Sequence, residues 1–217
     1  MDRRKFIKIS GASLSGLILG LPSFGNTGPG HLLALPDEVW ISSGKERLSL
    51  ISTDKLKWTN KDITVTITQE AEQLGVYVES TSAPLNNVQL NWKYNSASNT
   101  KCLVDHWERT YGDVSWQSTS ATKKMPWYFM QYDGKETNCF GVATGANSIC
   151  NWQITGNEIQ LVLDTRSGGG GVQLGARKLL AADIITTRSI VGETPFKTGQ
   201  RFCKMMCPVP RLAKQPV

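Results

Sequence analysis

Residues 62–69 read DITVTITQ. Ile63, Val65 and Ile67 alternate with Thr64, Thr66 and Thr68, so an extended chain sends β-branched apolar groups to one side and hydroxyls to the other. A period of two predicts a strand buried on one face. The pattern recurs outward from this point, in KERLSLIS (45–52), GVYVES (75–80) and VQLNWKY (88–94). It recurs again in PWYFMQYD (126–133), TNCFGVAT (137–144), SICNWQI (148–154), NEIQLVLDT (157–165) and AADIITTRSI (181–190). Turn clusters such as Thr59-Asn60-Lys61 and Ala83-Pro84-Leu85-Asn86-Asn87 separate the runs. Short strands spaced in this way predict an all-β antiparallel sandwich over residues 38–207, of supersandwich type. QRFCKMMC (200–207) reads as a last strand. Only GARKLLAAD (175–183) suits a helix, and no amphipathic helix of three turns is expected.

The 217 residues carry a formal charge of +6. Arg3, Arg4, Lys5 and Lys8 against Asp2 put half of that excess in the first 25 residues, leaving 20 basic against 17 acidic residues in the remainder. The basic residues form no stripe, which argues against a nucleic-acid partner. Seven Trp favour a surface or pocket that stacks on something flat.

At the N-terminus the basic stretch precedes a mildly apolar segment, Ile9 to Leu21. A hydrocarbon core needs about 20 residues, so this segment is too short to span one. Residues 1–25 therefore read as a signal peptide. Arg3-Arg4 followed by Phe6-Ile7-Lys8 resembles the twin-arginine export signal, with Asp2 and Ile7 departing from the pattern. Residues 26–37, NTGPGHLLALPD, form a Gly/Pro-rich leader. The expected location is periplasmic or extracellular, with no membrane association once the signal is removed.

The five cysteines are Cys102, Cys139, Cys150, Cys203 and Cys207. An odd count leaves at least one thiol unpaired within the chain. On a strand, Cys203 and Cys207 stand roughly 13 Å apart, too far for a disulfide. Their spacing is also wrong for a structural zinc clip, so no metal and no cofactor is expected. Asp133-Gly134 predicts a hairpin turn between apolar runs. A second hairpin centred on Thr144-Gly145 would make Cys139 and Cys150 cross-strand neighbours, about 4.5 Å apart at Cα and close enough to bridge.

SGGGG (167–171) follows a strand but lacks the Gly-Lys-Ser/Thr ending of a phosphate loop, and no helix receives it. A close backbone crossing or a wide turn explains it better. GxSxG and HExxH are absent, and His106 is the only His past residue 31. Nucleophilic catalysis is therefore not expected.

The densest chemistry lies in DHWERTYGDVSW (105–116). Read as a strand, it sends Asp105, Trp107 and Arg109 one way and His106, Glu108 and Thr110 the other. Tyr111-Gly112-Asp113 then makes a turn or bulge. Glu108 and Asp113 suit a glycosidase acid pair in residue type, but two acids within six residues are commonplace. The structural alternative pairs Arg109 with Asp113 or Glu108 and packs the indoles inside. The candidate substrate-binding residues are Trp107, Glu108, Arg109, Tyr111, Asp113 and Trp116. No catalytic residue is assigned.

WERTYGDVSW (107–116), NWQITGNEIQLVLDTRSGGGGVQLGAR (151–177) and FCKMMCPVPRLAKQPV (202–217) resemble the front part of α-galactosidase-like glycoside hydrolases, the melibiase clan close to families 27 and 36. The resemblance covers roughly residues 38–217. It implies an N-terminal β-sandwich followed by a (β/α)8 barrel that carries the clan's catalytic Asp residues. No catalytic barrel is expected in this chain, with residues 208–217 a linker toward it. The resemblance further implies a galactoside-like carbohydrate as ligand, the C-terminal barrel of a parent chain as partner, and a non-catalytic role that braces the barrel and shapes the sugar entrance. Two other readings stay open: a stand-alone carbohydrate-binding module, and a structural domain that forms a homo-oligomer.

Overall fold

The computed structural model describes residues 32–70, 73–94, 99–108, 110, 112–118, 124–155, 157–166 and 169–207. Residues 1–31, where the signal peptide and most of the leader are expected, Arg109, Tyr111 and the expected linker 208–217 lie outside the described residues.

In chain order the strands are β1 (Glu38–Ser43), β2 (Glu46–Ser49), β3 (Lys57–Asn60), β4 (Ile63–Glu70), β5 (Gln73–Ser80), β6 (Asn87–Lys93) and β7 (Lys101–Val104). Then follow β8 (Ser115–Ser118), β9 (Met125–Pro126), β10 (Tyr128–Tyr132), β11 (Thr137–Val142), β12 (Ile149–Thr155), β13 (Glu158–Asp164) and β14 (Lys178–Arg188), and a helix α1 (Pro195–Met206). Two antiparallel sheets stack as a sandwich. One has six strands in the order β2-β1-β6-β13-β12-β9; the other has eight, β3-β4-β5-β14-β11-β10-β7-β8. The all-β sandwich expected from the alternation is the observed fold.

The period-two faces meet between the sheets. Ile63, Val65 and Ile67 of β4 lie in one buried cluster with Val76 of β5, Leu90 of β6 and Leu161 of β13. Aromatic rings fill the middle. Phe129 stacks on Phe140 at 4.6 Å between centroids and meets Trp152 edge-on at 5.6 Å, while Trp92 stacks on Trp152 at 6.1 Å. Trp58, Trp92 and Trp152 are all buried, so much of the Trp count serves the core rather than a stacking surface. Each buried indole finds an acceptor: Trp58 Nε1 donates to Lys55 O, Trp92 to Ala34 O and Trp152 to Trp127 O. The end of the leader joins the fold, with Leu33 buried and the Leu32 amide donating to Thr186 Oγ1.

Trp127 is where one strand becomes two. β9 pairs with β12 in the six-stranded sheet, and β10 pairs with β11 in the eight-stranded one. The single residue between them has φ of 62°. A bulky side chain seldom adopts that conformation, and its cost persists only where surroundings over-determine it. They do here: Trp127 O accepts from Val142 N (3.1 Å) and Trp152 Nε1 (3.2 Å), and Trp127 N donates to Cys150 O (3.3 Å).

Several local readings are corrected. QRFCKMMC is not a strand; it lies in α1 and its cap. Thr194 caps the N-terminus by accepting from Lys197 N, Pro195 occupies the first turn, and Thr198, Phe202 and Met206 form the buried stripe at four-residue spacing. The argument that separated Cys203 from Cys207 by strand geometry does not apply on a helix. GARKLLAAD is no helix; most of it is the start of β14. That strand is buried on both sides over much of its length, by the sandwich core and by α1, and so lacks clean alternation.

The hairpin at Thr144-Gly145 does not form. β11 and β12 belong to different sheets, and the segment between them crosses the sandwich. Cys139 and Cys150 are free and buried, and burial pushes each thiol up to about 12. They stay protonated and inert. The Asp133-Gly134 turn does form, joining β10 to β11. Asp133 Oδ1 accepts from Lys135 N and Glu136 N, both at 2.8 Å, and these bonds hold the carboxyl below its ordinary range. In the glycine run, a Cβ on Gly171 would lie 3.3 Å from Leu85 O and 3.0 Å from Pro84 Cβ, which is the close crossing expected.

α1 packs on the outer face of the eight-stranded sheet, where Phe202 and Met206 bury against Met130, Cys139 and Ile185. Gly141 permits the approach: a Cβ there would meet Phe202 Cζ at 2.8 Å and Met206 Sδ at 2.5 Å. Arg201 fastens the helix. Its guanidinium donates to Glu193 Oε1 (3.2 Å) and Oε2 (2.8 Å), to Thr187 Oγ1 (2.7 Å) and to Arg188 O (2.7 Å). The Arg201 bonds, with help from Ile190 N and Thr198 Oγ1, hold the Glu193 carboxyl down at about 2. A folded-state pKa below the unfolded value gives stability that is present above about pH 4.3 and is lost as pH falls toward the folded value. Thermal stability is therefore expected to decline between about pH 4 and pH 2. Glu193→Gln should flatten that part of the profile when melting is followed by circular dichroism.

Candidate functional site

DHWERTYGDVSW is a loop and a strand start rather than one strand. β7 and β8 pair with Val104 opposite Ser115, so residues 105–114 form the loop at the tip of this edge hairpin. Among the described residues from Asp105 to Thr110 no strand forms, so the expected two-sided alternation is not seen there. The loop closes on itself instead. Gly112 has φ of 144°, and a Cβ on it would lie 2.7 Å from His106 Nε2, so the chain passes against the imidazole only with glycine there.

Asp105 anchors the base of the loop. Its Oδ1 accepts from His106 N (2.8 Å) and its Oδ2 from the Tyr128 hydroxyl (3.4 Å). Beyond it Trp107 turns outward, 47% exposed, with its edge against Trp127 at 6.4 Å between centroids. The strained sheet-switch residue thus supports the exposed indole. Glu108 is exposed and accepts from Thr110 Oγ1 at 3.4 Å, and Asp113 is exposed on the returning limb. Trp116 lies in β8, 38% exposed and tilted against Tyr132. Four of the six candidates, Trp107, Glu108, Asp113 and Trp116, therefore belong to one accessible hairpin. The reading that packs both indoles into the core is excluded. Arg109 and Tyr111 lie outside the described residues, so their pairing is not part of this geometry.

The loop opens onto a groove of about 660 Å³ between α1 and the outer face of the eight-stranded sheet. Leu103, Val114, Trp116, Tyr128 and Met130 form its floor, and Pro195, Phe196, Gly199, Gln200, Cys203 and Lys204 its helical wall. Sequence reasoning missed this wall because it placed a strand there; the Thr194-Pro195 start of a helix was the available signal. Tyr128 was missed because it reaches the site from β10, far in sequence from the loop.

The arrangement can present a flat ring with hydroxyl-binding carboxylates beside it. Among the described residues no three His, Cys, Asp or Glu converge to hold a metal ion, and no helix is long and apolar enough to cross a membrane. Compared with known protein families, curated proteins and solved structures, the chain finds no match.

Proposed function

We propose that this chain is the non-catalytic, carbohydrate-contacting sandwich of an exported α-galactosidase-like glycoside hydrolase. The observation that carries the reading is Trp107, half exposed on a loop that also holds Asp105, Glu108 and Asp113. An indole stacks on the apolar face of a pyranose, and carboxylates accept from its hydroxyls through charge-assisted bonds. The likeness of WERTYGDVSW and FCKMMCPVPRL to the melibiase clan supports a galactoside as the sugar and a (β/α)8 barrel as the partner that the sandwich braces. The charged, short apolar start supports delivery to the periplasm or beyond.

Catalysis is assigned to the partner. A retaining glycosidase holds two carboxyl groups about 5–5.5 Å apart across a pocket enclosing the ring. Asp105, Glu108 and Asp113 instead share one surface loop at a hairpin tip. The test is turnover of an aryl α-galactoside by this chain and by a product of the gene extended through a barrel. This chain is expected to leave the substrate intact and the extended product to cleave it. Hydrolysis by this chain that disappears in Glu108→Gln or Asp113→Asn would put catalysis in the loop and overturn the assignment. Galactoside binding by this chain, with no barrel encoded after it, would identify a stand-alone binding module instead.

A further inference from the structure

We infer that the groove beside α1 takes the apolar aglycone of a glycoside whose sugar sits on the 105–114 loop. The inference rests on the carbohydrate reading above and extends it from a sugar to a class of amphiphilic glycoside.

The groove is built by a helix with two apolar stripes. Thr198, Phe202 and Met206 face down and are buried. Phe196, Gly199 and Cys203, also spaced three to four residues apart, lie on a neighbouring stripe that faces the groove. Opposite them stand Leu103, Trp116 and Met130, which share the outer face of β7, β8 and β10. Phe196 is 73% exposed and Trp116 38% exposed. Apolar residues gathered around a concavity, unlike scattered ones, mark a binding surface. The volume of about 660 Å³ falls within the range of small-molecule sites.

Two further observations choose the occupant. The first is charge: the lining contains Lys204 but no carboxylate and is otherwise mostly apolar, so it suits an uncharged hydrocarbon or aryl group better than a cation. The second is continuity with the loop. Val114 ends the loop and lines the groove, while Tyr128 lines the groove and donates its hydroxyl to Asp105. A ligand whose hydroxyls meet Asp105 and whose ring stacks on Trp107 can therefore extend its other end past Tyr128 onto the apolar floor. A free monosaccharide uses only the first half of this surface.

Calorimetric titration of the full chain with methyl and n-hexyl α-galactoside tests the inference, with 1-hexanol as the sugarless control. The hexyl glycoside is expected to bind about tenfold more tightly than the methyl one, the effect of burying two of its five additional methylenes. Phe196→Ser, at an exposed position, should erase the preference. In the wild-type chain, alkylation of Cys203 by N-ethylmaleimide, followed by peptide mass mapping, should be slowed by the hexyl glycoside and not by the methyl one. This arm needs no variant to fold. Equal affinity for the two glycosides, with no protection of Cys203, would overturn the groove inference while leaving the sugar reading intact. Binding of neither glycoside would remove both. Hexanol binding as tightly as the hexyl glycoside would show a groove independent of the sugar, and would also overturn the inference.

Discussion

Trp152→Ala is expected to destabilise the chain by about 3–5 kcal/mol, the range for deleting a fully buried aromatic side chain. Trp152 is completely buried at the centre of the ring cluster, between Phe129 and Trp92. Truncation leaves a cavity that rings from two different sheets must share, and a sandwich fixed by its strand ladders cannot collapse to fill it. The loss also removes one of the two bonds that hold Trp127 O in place. For a domain of this size the melting temperature should drop by roughly 6–20 °C in a circular dichroism melt. A drop of only a degree or two would mean that the sheets do not meet through this cluster.

Trp107→Ala is expected to do the reverse, sparing the fold and removing the ligand. Its ring is 47% exposed and its edge contact with Trp127 contributes about 1 kcal/mol, so the melting temperature should move by only a few degrees. As the flat anchor of the proposed sugar contact, however, it holds the position at which truncation typically costs about 2 kcal/mol or more, roughly thirtyfold in affinity. Titration of the variant with an α-galactoside checks this. Unchanged affinity would remove Trp107 from the contact and leave the loop a solvated hairpin tip.

Where the sequence was easy to read, one physical signal dominated. Ile63, Val65 and Ile67 alternate because β4 has one wet and one dry face, and Asp133-Gly134 makes its turn through bonds between neighbouring residues. The misread places depend on information from elsewhere in the chain. Ala143–Ser148 has a length that suits either a hairpin or a crossing between sheets, and only the partners of β11 and β12 decide which. β14 mixes Ala, Leu and Ile because both its faces are covered, which removes the period-two signature. α1 was hidden by Phe202, Cys203, Met205 and Met206, an apolar run that suits a strand until its Thr194-Pro195 start is weighed.

The candidate site divides in the same way. Aromatic and acidic density singled out 105–116, and the structure brings Trp107, Glu108, Asp113 and Trp116 onto one exposed hairpin. Their support was not legible. Tyr128 and Trp127 arrive from a strand pair that changes sheets, and the groove wall arrives from a helix some ninety residues downstream.

The central claim is that a galactoside contacts the 105–114 loop, and indole Nε1–H signals in a proton–nitrogen NMR spectrum test it most directly. The chain has seven tryptophans, and their positions sort them in advance: Trp107 and Trp116 on the exposed hairpin; Trp58, Trp92 and Trp152 in the core. Titration with methyl α-galactoside is predicted to move the Trp107 signal saturably, with a smaller change at the neighbouring Trp127, while the three core signals stay fixed. A titration that leaves Trp107 in place, whether or not another signal moves, would contradict the account.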